Sequence, residues 1–151
     1  MKYEIEGIAF IGRTYEEYSK MFDLILELLK DKAILDCPAG GASFASELCL
    51  KGYDVTAVDR MYDLSLDALR KVCTLDLKKA MKGLDGSESL FNWEEYKDKN
   101  SLKEYRVRAK DLFLKDYQQN NERYIYADIL DLPFEDEQFD LVVSSHLLFL
   151  Y

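Results

Sequence analysis

The stretch Ala33-Ile34-Leu35-Asp36-Cys37-Pro38-Ala39-Gly40-Gly41-Ala42-Ser43 decides how the whole chain is read. Three apolar residues run without alternation into an acid, the pattern of a strand buried on both faces. Pro38 to Gly41 turn the chain. From Ala42 an amphipathic run places Phe44, Ala45, Leu48 and Cys49 on one helical face and closes at Gly52, a residue suited to a left-handed helix cap. Val55-Thr56-Ala57-Val58-Asp59 then repeats the first pattern, an apolar run ending in an acid. Asp63 or Ser65 opens a further helix that extends to about Lys82. Strands and helices alternating through short links predict βαβ units in a parallel sheet with right-handed crossovers.

Outward from this core, Thr14 to Leu29 is expected to form one helix. Thr14 caps it, Glu16 and Glu17 suit its positive end, and Tyr18, Met21, Phe22, Ile25, Leu28 and Leu29 recur at helical spacing. Towards the other end, Tyr124-Ile125-Tyr126-Ala127-Asp128 and Phe139 to Ser144 read as third and fourth strands. An apolar run, His146 to Tyr151, follows the fourth. The segment 83–122 breaks the rhythm: a Gly-Ser turn, then a charged and aromatic stretch with Leu102, Tyr105, Ala109, Leu112 and Phe113 in helical register. It is expected to be a helical insertion that covers one face of the sheet or flanks the substrate.

Composition narrows the function classes. The chain has 151 residues, 48% of them hydrophobic, with eleven Tyr and eight Phe, which is ample material for one folded domain. A formal charge of −9 repels phosphate backbones and anionic membrane surfaces, so a nucleic-acid or membrane partner is disfavoured. Cys37, Cys49 and Cys73 form no CxxC pair and suggest neither a disulfide framework nor a metal site; reduced thiols and a cytoplasmic location are expected. The N-terminus carries Glu4 and Glu6 within its short apolar run, unlike a signal peptide, and no apolar stretch approaches the roughly 20 residues of a membrane span.

In open parallel sheets ligands bind beyond the carboxyl ends of the strands, where strand order reverses. Asp36, Asp59, Asp128 and Ser144 all fall at that edge. Carboxylates there accept hydrogen bonds from hydroxyl, amino or ammonium groups, while backbone N–H groups around Gly40 and Gly41 can meet an anionic group. Asp59 follows Gly40 by 19 residues, near the interval between a glycine-rich turn and a ribose-holding acid. That spacing alone is shared with dinucleotide-binding enzymes. The turn lacks a G-x-G-x-x-G pattern, however, and Asp36 just before it would oppose a pyrophosphate. A nucleoside with an amino-acid tail suits the set better.

On these residues the chain resembles the class I S-adenosylmethionine-dependent methyltransferases. Asp36 to Ala42 is similar to their glycine-rich first motif, and Val55 to Asp59 to their second strand with its ribose acid. Ala127-Asp128-Ile129-Leu130-Asp131-Leu132-Pro133-Phe134 through Phe139-Asp140-Leu141-Val142-Val143-Ser144 is similar to the stretch from third to fourth strand. Pro38 stands where the family has its first glycine and Ala42 where it has its third.

The resemblance implies an α/β, Rossmann-like parallel sheet with helices on both faces, of which this chain supplies about four of the family's seven strands. It implies S-adenosyl-L-methionine as cofactor. Asp36 and the Ala39-Gly40 backbone then face its methionine part, and Asp59 accepts both ribose hydroxyls. Arg60 and Met61 flank the adenine, Asp128 accepts its amine, Ile129 packs on the ring and Ser144 lies beneath the sulfonium. His146 is read either as a general base or as a helix-start residue on the pocket wall.

The expected organisation is one cofactor-binding domain over 1–151, either truncated at its C-terminus or associating with a second copy through an exposed fourth-strand edge. The expected activity is methyl transfer to a small-molecule acceptor, since the Asn/Asp-Pro-Pro-Tyr signature for nucleic-acid amines is absent after the fourth strand. The alternatives are a catalytically silent cofactor-binding or interaction module and an NAD-dependent oxidoreductase.

Overall fold

The computed structural model describes residues 8–145. Its elements follow in the order α1 (Tyr15–Phe22), α2 (Leu26–Leu29), β1 (Ala33–Asp36), α3 (Phe44–Leu50), β2 (Asp54–Asp59), α4 (Leu66–Gly83), α5 (Lys99–Gln119), β3 (Tyr124–Tyr126) and β4 (Leu141–Val143). Single 3-10 turns lie at Glu88–Leu90 and Asn121–Arg123. The four strands pair in parallel in the order β3-β2-β1-β4, the Rossmann-like α/β arrangement expected from the alternating pattern. Strand order reverses between β1 and β4. A crevice for a ligand belongs there.

Alternate residues of each strand feed two separate cores, as the period of two requires. Ile34, Val55, Ala57, Tyr124 and Val143 join Tyr18, Phe44, Leu69, Cys73 and Phe113 from the helices in the larger one. Leu35, Val58 and Ala127 pack on the other face with Leu132, Phe134 and Phe139, which come from the loop linking β3 to β4. That loop contains no helix, and its Phe134 and Phe139 rings meet edge to face at 4.9 Å.

The helix expected over 14–29 is two helices. Thr14 forms a capping box with Glu17 as its sequence suggests, but Asp23 adopts a left-handed conformation (φ 49°) and ends α1. The break changes the register, so Ile25 and Leu28 turn outward and are 53% and 67% exposed. Between 83 and 122 the chain does become helical. α5 starts with Asp98 accepting the Ser101 N–H, and it buries Ala109, Phe113 and Leu114. It packs on α3 and α4.

Aromatic rings dock α5. Phe113 and Tyr117 interlock with Tyr62, which follows β2, and with Tyr124 of β3, at centroid separations between 5.3 and 5.9 Å. Such pairs contribute about 0.5–1.5 kcal/mol each beyond the area they bury. No helix among the described residues is long and apolar enough to cross a membrane.

Candidate functional site

The turn after β1 is clamped from both neighbouring strands. The Cys37 N–H donates to the Val143 carbonyl of β4 at 2.9 Å, and the Ala39 N–H donates to the Val58 carbonyl of β2 at 2.8 Å. The Cys37–Pro38 peptide is cis. Gly40 takes a left-handed conformation (φ +56°), which glycine adopts without the Cβ penalty that other residues carry. Its N–H donates to Asp59 Oδ2 at 2.9 Å, while the Met61 N–H donates to Asp59 Oδ1 at the same distance. The Tyr62 hydroxyl donates to the Gly40 carbonyl at 2.7 Å. The aromatic cluster under α5 therefore fixes Tyr62, and Tyr62 fixes the glycine turn.

Asp59 is only 8% exposed. Burial raises its carboxyl above the ordinary value, against the two N–H groups and the Arg60 charge that favour ionisation. Asp36 ends β1 beside Val143 in the ladder and is fully buried. The Tyr18 hydroxyl donates to its Oδ1 at 3.1 Å, whereas Oδ2 has no hydrogen-bond partner. Ser144, one residue past the end of β4, likewise has a buried hydroxyl without a partner. Burial pushes the Asp36 carboxyl well up; the Tyr18 hydrogen bond pulls the other way, and the Asp59 charge adds to the rise. The Cys37 thiol, pushed up to about 11 by burial and by the same two carboxylates, is a neutral thiol at physiological pH.

The sequence-assigned residues fall into two groups. Asp36, Ala39, Gly40, Gly41, Asp59, Met61 and Ser144 all fall at the carboxyl ends of β1, β2 and β4, with Gly40 and Met61 hydrogen-bonded to Asp59. Arg60 is on the same turn and exposed. Asp128 and Ile129 lie just beyond β3, where Tyr126 is in register with Asp59. Asp128 is exposed and accepts the Leu130 N–H at 2.9 Å in a tight turn, and Ile129 is 38% exposed. Among the described residues no hydrogen bond joins these two to Asp36 or Gly40. His146 lies outside the described residues.

The segment leading into α1 covers the turn. Gly12 rests directly on the Gly41–Ala42 peptide, and the Arg13 carbonyl accepts the Ser43 N–H at 3.0 Å. The Phe10 N–H is held by Asp76 Oδ2 at 2.8 Å, and its ring joins the aromatic cluster. The Gly40 N–H, one of the groups read as anion donors, is taken up by Asp59, and the nearby Ser43 N–H by the Arg13 carbonyl. Asp36 and Asp59 keep carboxyl acceptor capacity at the site, and the buried Ser144 hydroxyl can donate or accept. That set fits a ligand bearing hydroxyl and ammonium donors and disfavours a pyrophosphate.

A second feature borders the first. Glu17, one residue before Tyr18, accepts from Tyr96 and Arg106 at 2.5 Å each, and from the Thr14 N–H at 2.8 Å. Burial pushes this carboxyl up, but Arg106, the Tyr96 hydroxyl and the Thr14 N–H outweigh it and hold the group below its usual range. A cavity of about 390 Å³ opens here between α1 and the segment leading into α5, with Arg13, Lys20, Tyr96 and Tyr105 on its walls. Among the described residues no group of His, Cys, Asp and Glu is arranged to hold a metal ion.

Comparison with known proteins agrees with this geometry. Residues 35–151 match the family profile of the methyltransferase domain. The uncharacterized protein MJ0045 of Methanocaldococcus jannaschii is 36% identical over 153 residues, an alignment covering 100% of this chain and 69% of that protein. No solved structure matches the chain. With its parallel sheet, glycine turn and strand-end acids, the chain belongs to the class I S-adenosylmethionine-dependent methyltransferases.

Proposed function

We propose that this protein binds S-adenosylmethionine across the carboxyl ends of β1 and β2 and transfers its methyl group to a small-molecule acceptor. The observation that carries the reading is Asp36: a fully buried carboxylate at the strand-order reversal, with Oδ2 left without a partner. A buried polar atom of this kind costs free energy until a donor reaches it. The cofactor's ammonium is such a donor. Asp59, whose oxygens each retain acceptor capacity beyond their one backbone hydrogen bond, would hold the ribose hydroxyls. Asp128 and Ile129, at the next strand end, would meet the adenine, and Ser144 the region of the sulfonium.

When bound, S-adenosylmethionine supplies an electrophilic methyl on a positively charged sulfur. The protein's contribution is to orient and to exclude water. Gly12 and Phe10 close over the glycine turn, and Asp36 and Asp59 offer carboxyl oxygens to a cationic ligand. For a nucleophilic acceptor, alignment alone can supply much of the rate acceleration. The cavity beside Arg13 and Tyr96 is of a size for a small molecule, and the net charge of −9 argues against a nucleic-acid acceptor.

Thermal-shift titration tests the reading. S-adenosylhomocysteine should raise the melting temperature and NAD should not. Stabilisation by NAD alone would replace the proposal with the oxidoreductase reading, and no response to either would favour a silent module.

A further inference from the structure

We propose that Tyr18 is a positioning residue that aims Asp36 at the cofactor's ammonium and so makes the site select nucleosides with an amino-acid tail. This inference rests on the cofactor reading above and adds to it the residue that sets tail recognition.

Tyr18 is completely buried, and its ring stacks on Phe44 of α3 at 4.5 Å and meets Phe22 edge to face at 5.6 Å. Packing of this kind accounts for the ring but not for the hydroxyl, which a core position does not need. The hydroxyl spans two strand ends: it lies 3.1 Å from Asp36 Oδ1 on β1 and 3.2 Å from Ser145 Oγ beyond β4. A phenol has one proton to give. With the carboxylate as the stronger acceptor, Tyr18 donates to Asp36 and the Ser145 hydroxyl donates to Tyr18.

Only one carboxylate oxygen is held, and the direction in which the other points follows from that. With Oδ1 held by a phenol whose ring packs against Phe44 and Phe22, rotation of the carboxyl is restricted, and Oδ2 stays buried and unpartnered at the end of β1, next to β4. Asp59 is held differently, by backbone N–H groups on both oxygens. The two acids are therefore oriented independently. Loss of the Tyr18 hydroxyl should loosen Asp36 and leave the Asp59 end of the site in place. Tail affinity and nucleoside affinity become separable quantities.

Calorimetry with two ligands reads them separately. S-adenosylhomocysteine carries the amino-acid tail, and 5′-methylthioadenosine lacks it. In Tyr18→Phe, which keeps the ring stack, the Kd for S-adenosylhomocysteine should rise about tenfold while that for 5′-methylthioadenosine changes less than twofold. Asp36→Asn should abolish the preference for the tail, and adding Tyr18→Phe to it should cause no further loss, the non-additivity of residues acting as one unit.

Equal weakening of both ligands in Tyr18→Phe would mean a purely structural role and overturn the inference while the cofactor reading stands. An unchanged S-adenosylhomocysteine affinity would overturn it as well. Failure of the wild-type protein to bind either ligand would remove the cofactor reading and this inference with it. Should Tyr18→Phe not fold, 3-fluorotyrosine placed at position 18 keeps the hydroxyl. Its fluorine resonance should move with S-adenosylhomocysteine and not with 5′-methylthioadenosine; the same response to both ligands would refute the assignment.

Discussion

Gly12 lies so close to the Gly41–Ala42 peptide that a Cβ built on it would fall 2.0 Å from both the Gly41 carbonyl carbon and the Ala42 nitrogen. Two backbones meet here with no side chain between them. The segment from Phe10 to Thr14 thereby becomes a strap over the glycine turn, held at one end by Asp76 and at the other by the α1 capping box.

Gly12→Ala should displace that strap, because the atoms in the way are backbone and cannot rotate aside. Overpacking of a close contact costs about 1–3 kcal/mol, so the melting temperature should drop by roughly 2–12 °C for a chain of this size. Limited proteolysis should show earlier cleavage near Arg13. An unchanged melting temperature would show that the strap is not held against the turn in solution.

Asp36→Asn should stabilise the unliganded protein near neutral pH while abolishing recognition of the cofactor's tail. The folded carboxyl titrates above its unfolded value, so its cost is absent below about pH 3.9, where both states are protonated. As pH rises the unfolded chain ionises first, and stability falls until the folded value is passed. The advantage of Asp36→Asn in urea melts should therefore grow from near zero in acid to about 1–3 kcal/mol at neutral pH. An advantage that shrinks with rising pH would contradict the burial of a carboxylate with one oxygen unpartnered.

Glu17 carries the opposite sign. Its folded carboxyl is held below the usual range, so its contribution is present above about pH 4.3 and lost as the pH falls through the folded value. Arg106→Met leaves Glu17 buried with Tyr96 and Thr14 alone and should cost about 3 kcal/mol at pH 7. The difference from wild type should narrow in acid. Arg106→Met combined with Glu17→Gln should recover part of the loss; a double variant no better than the single one would rule out an unpaired charge as the cause.

The parts legible in the sequence were those written in local pattern. The apolar runs before Asp36 and Asp59 form β1 and β2, and of the two caps open in the sequence, Asp63 and Ser65, it is Ser65 that caps α4, accepting the Ala68 N–H. The parallel sheet follows from the alternation, and Asp36, Gly40 and Asp59 do converge.

What sequence could not supply was long-range. A continuous helical pattern from Thr14 to Leu29 gives no sign that Asp23 turns left-handed, because the break is compatible with the same apolar residues. The pairing of Gly12 with Gly41 and the placement of the Tyr62 hydroxyl on Gly40 depend on segments brought together only by folding. Tyr18 fits the apolar stripe of α1, and that stripe carries no information about where its hydroxyl lands. Core position and polar contact coincide in that one side chain.

Isothermal titration of S-adenosylhomocysteine into the wild-type protein and into Asp59→Ala, both checked for folding by circular dichroism, measures the proposed cofactor site most directly. The account predicts one saturable site in the wild type and at least a tenfold loss of affinity in the variant. No binding heat in the wild type, or equal affinity in both proteins, would contradict it.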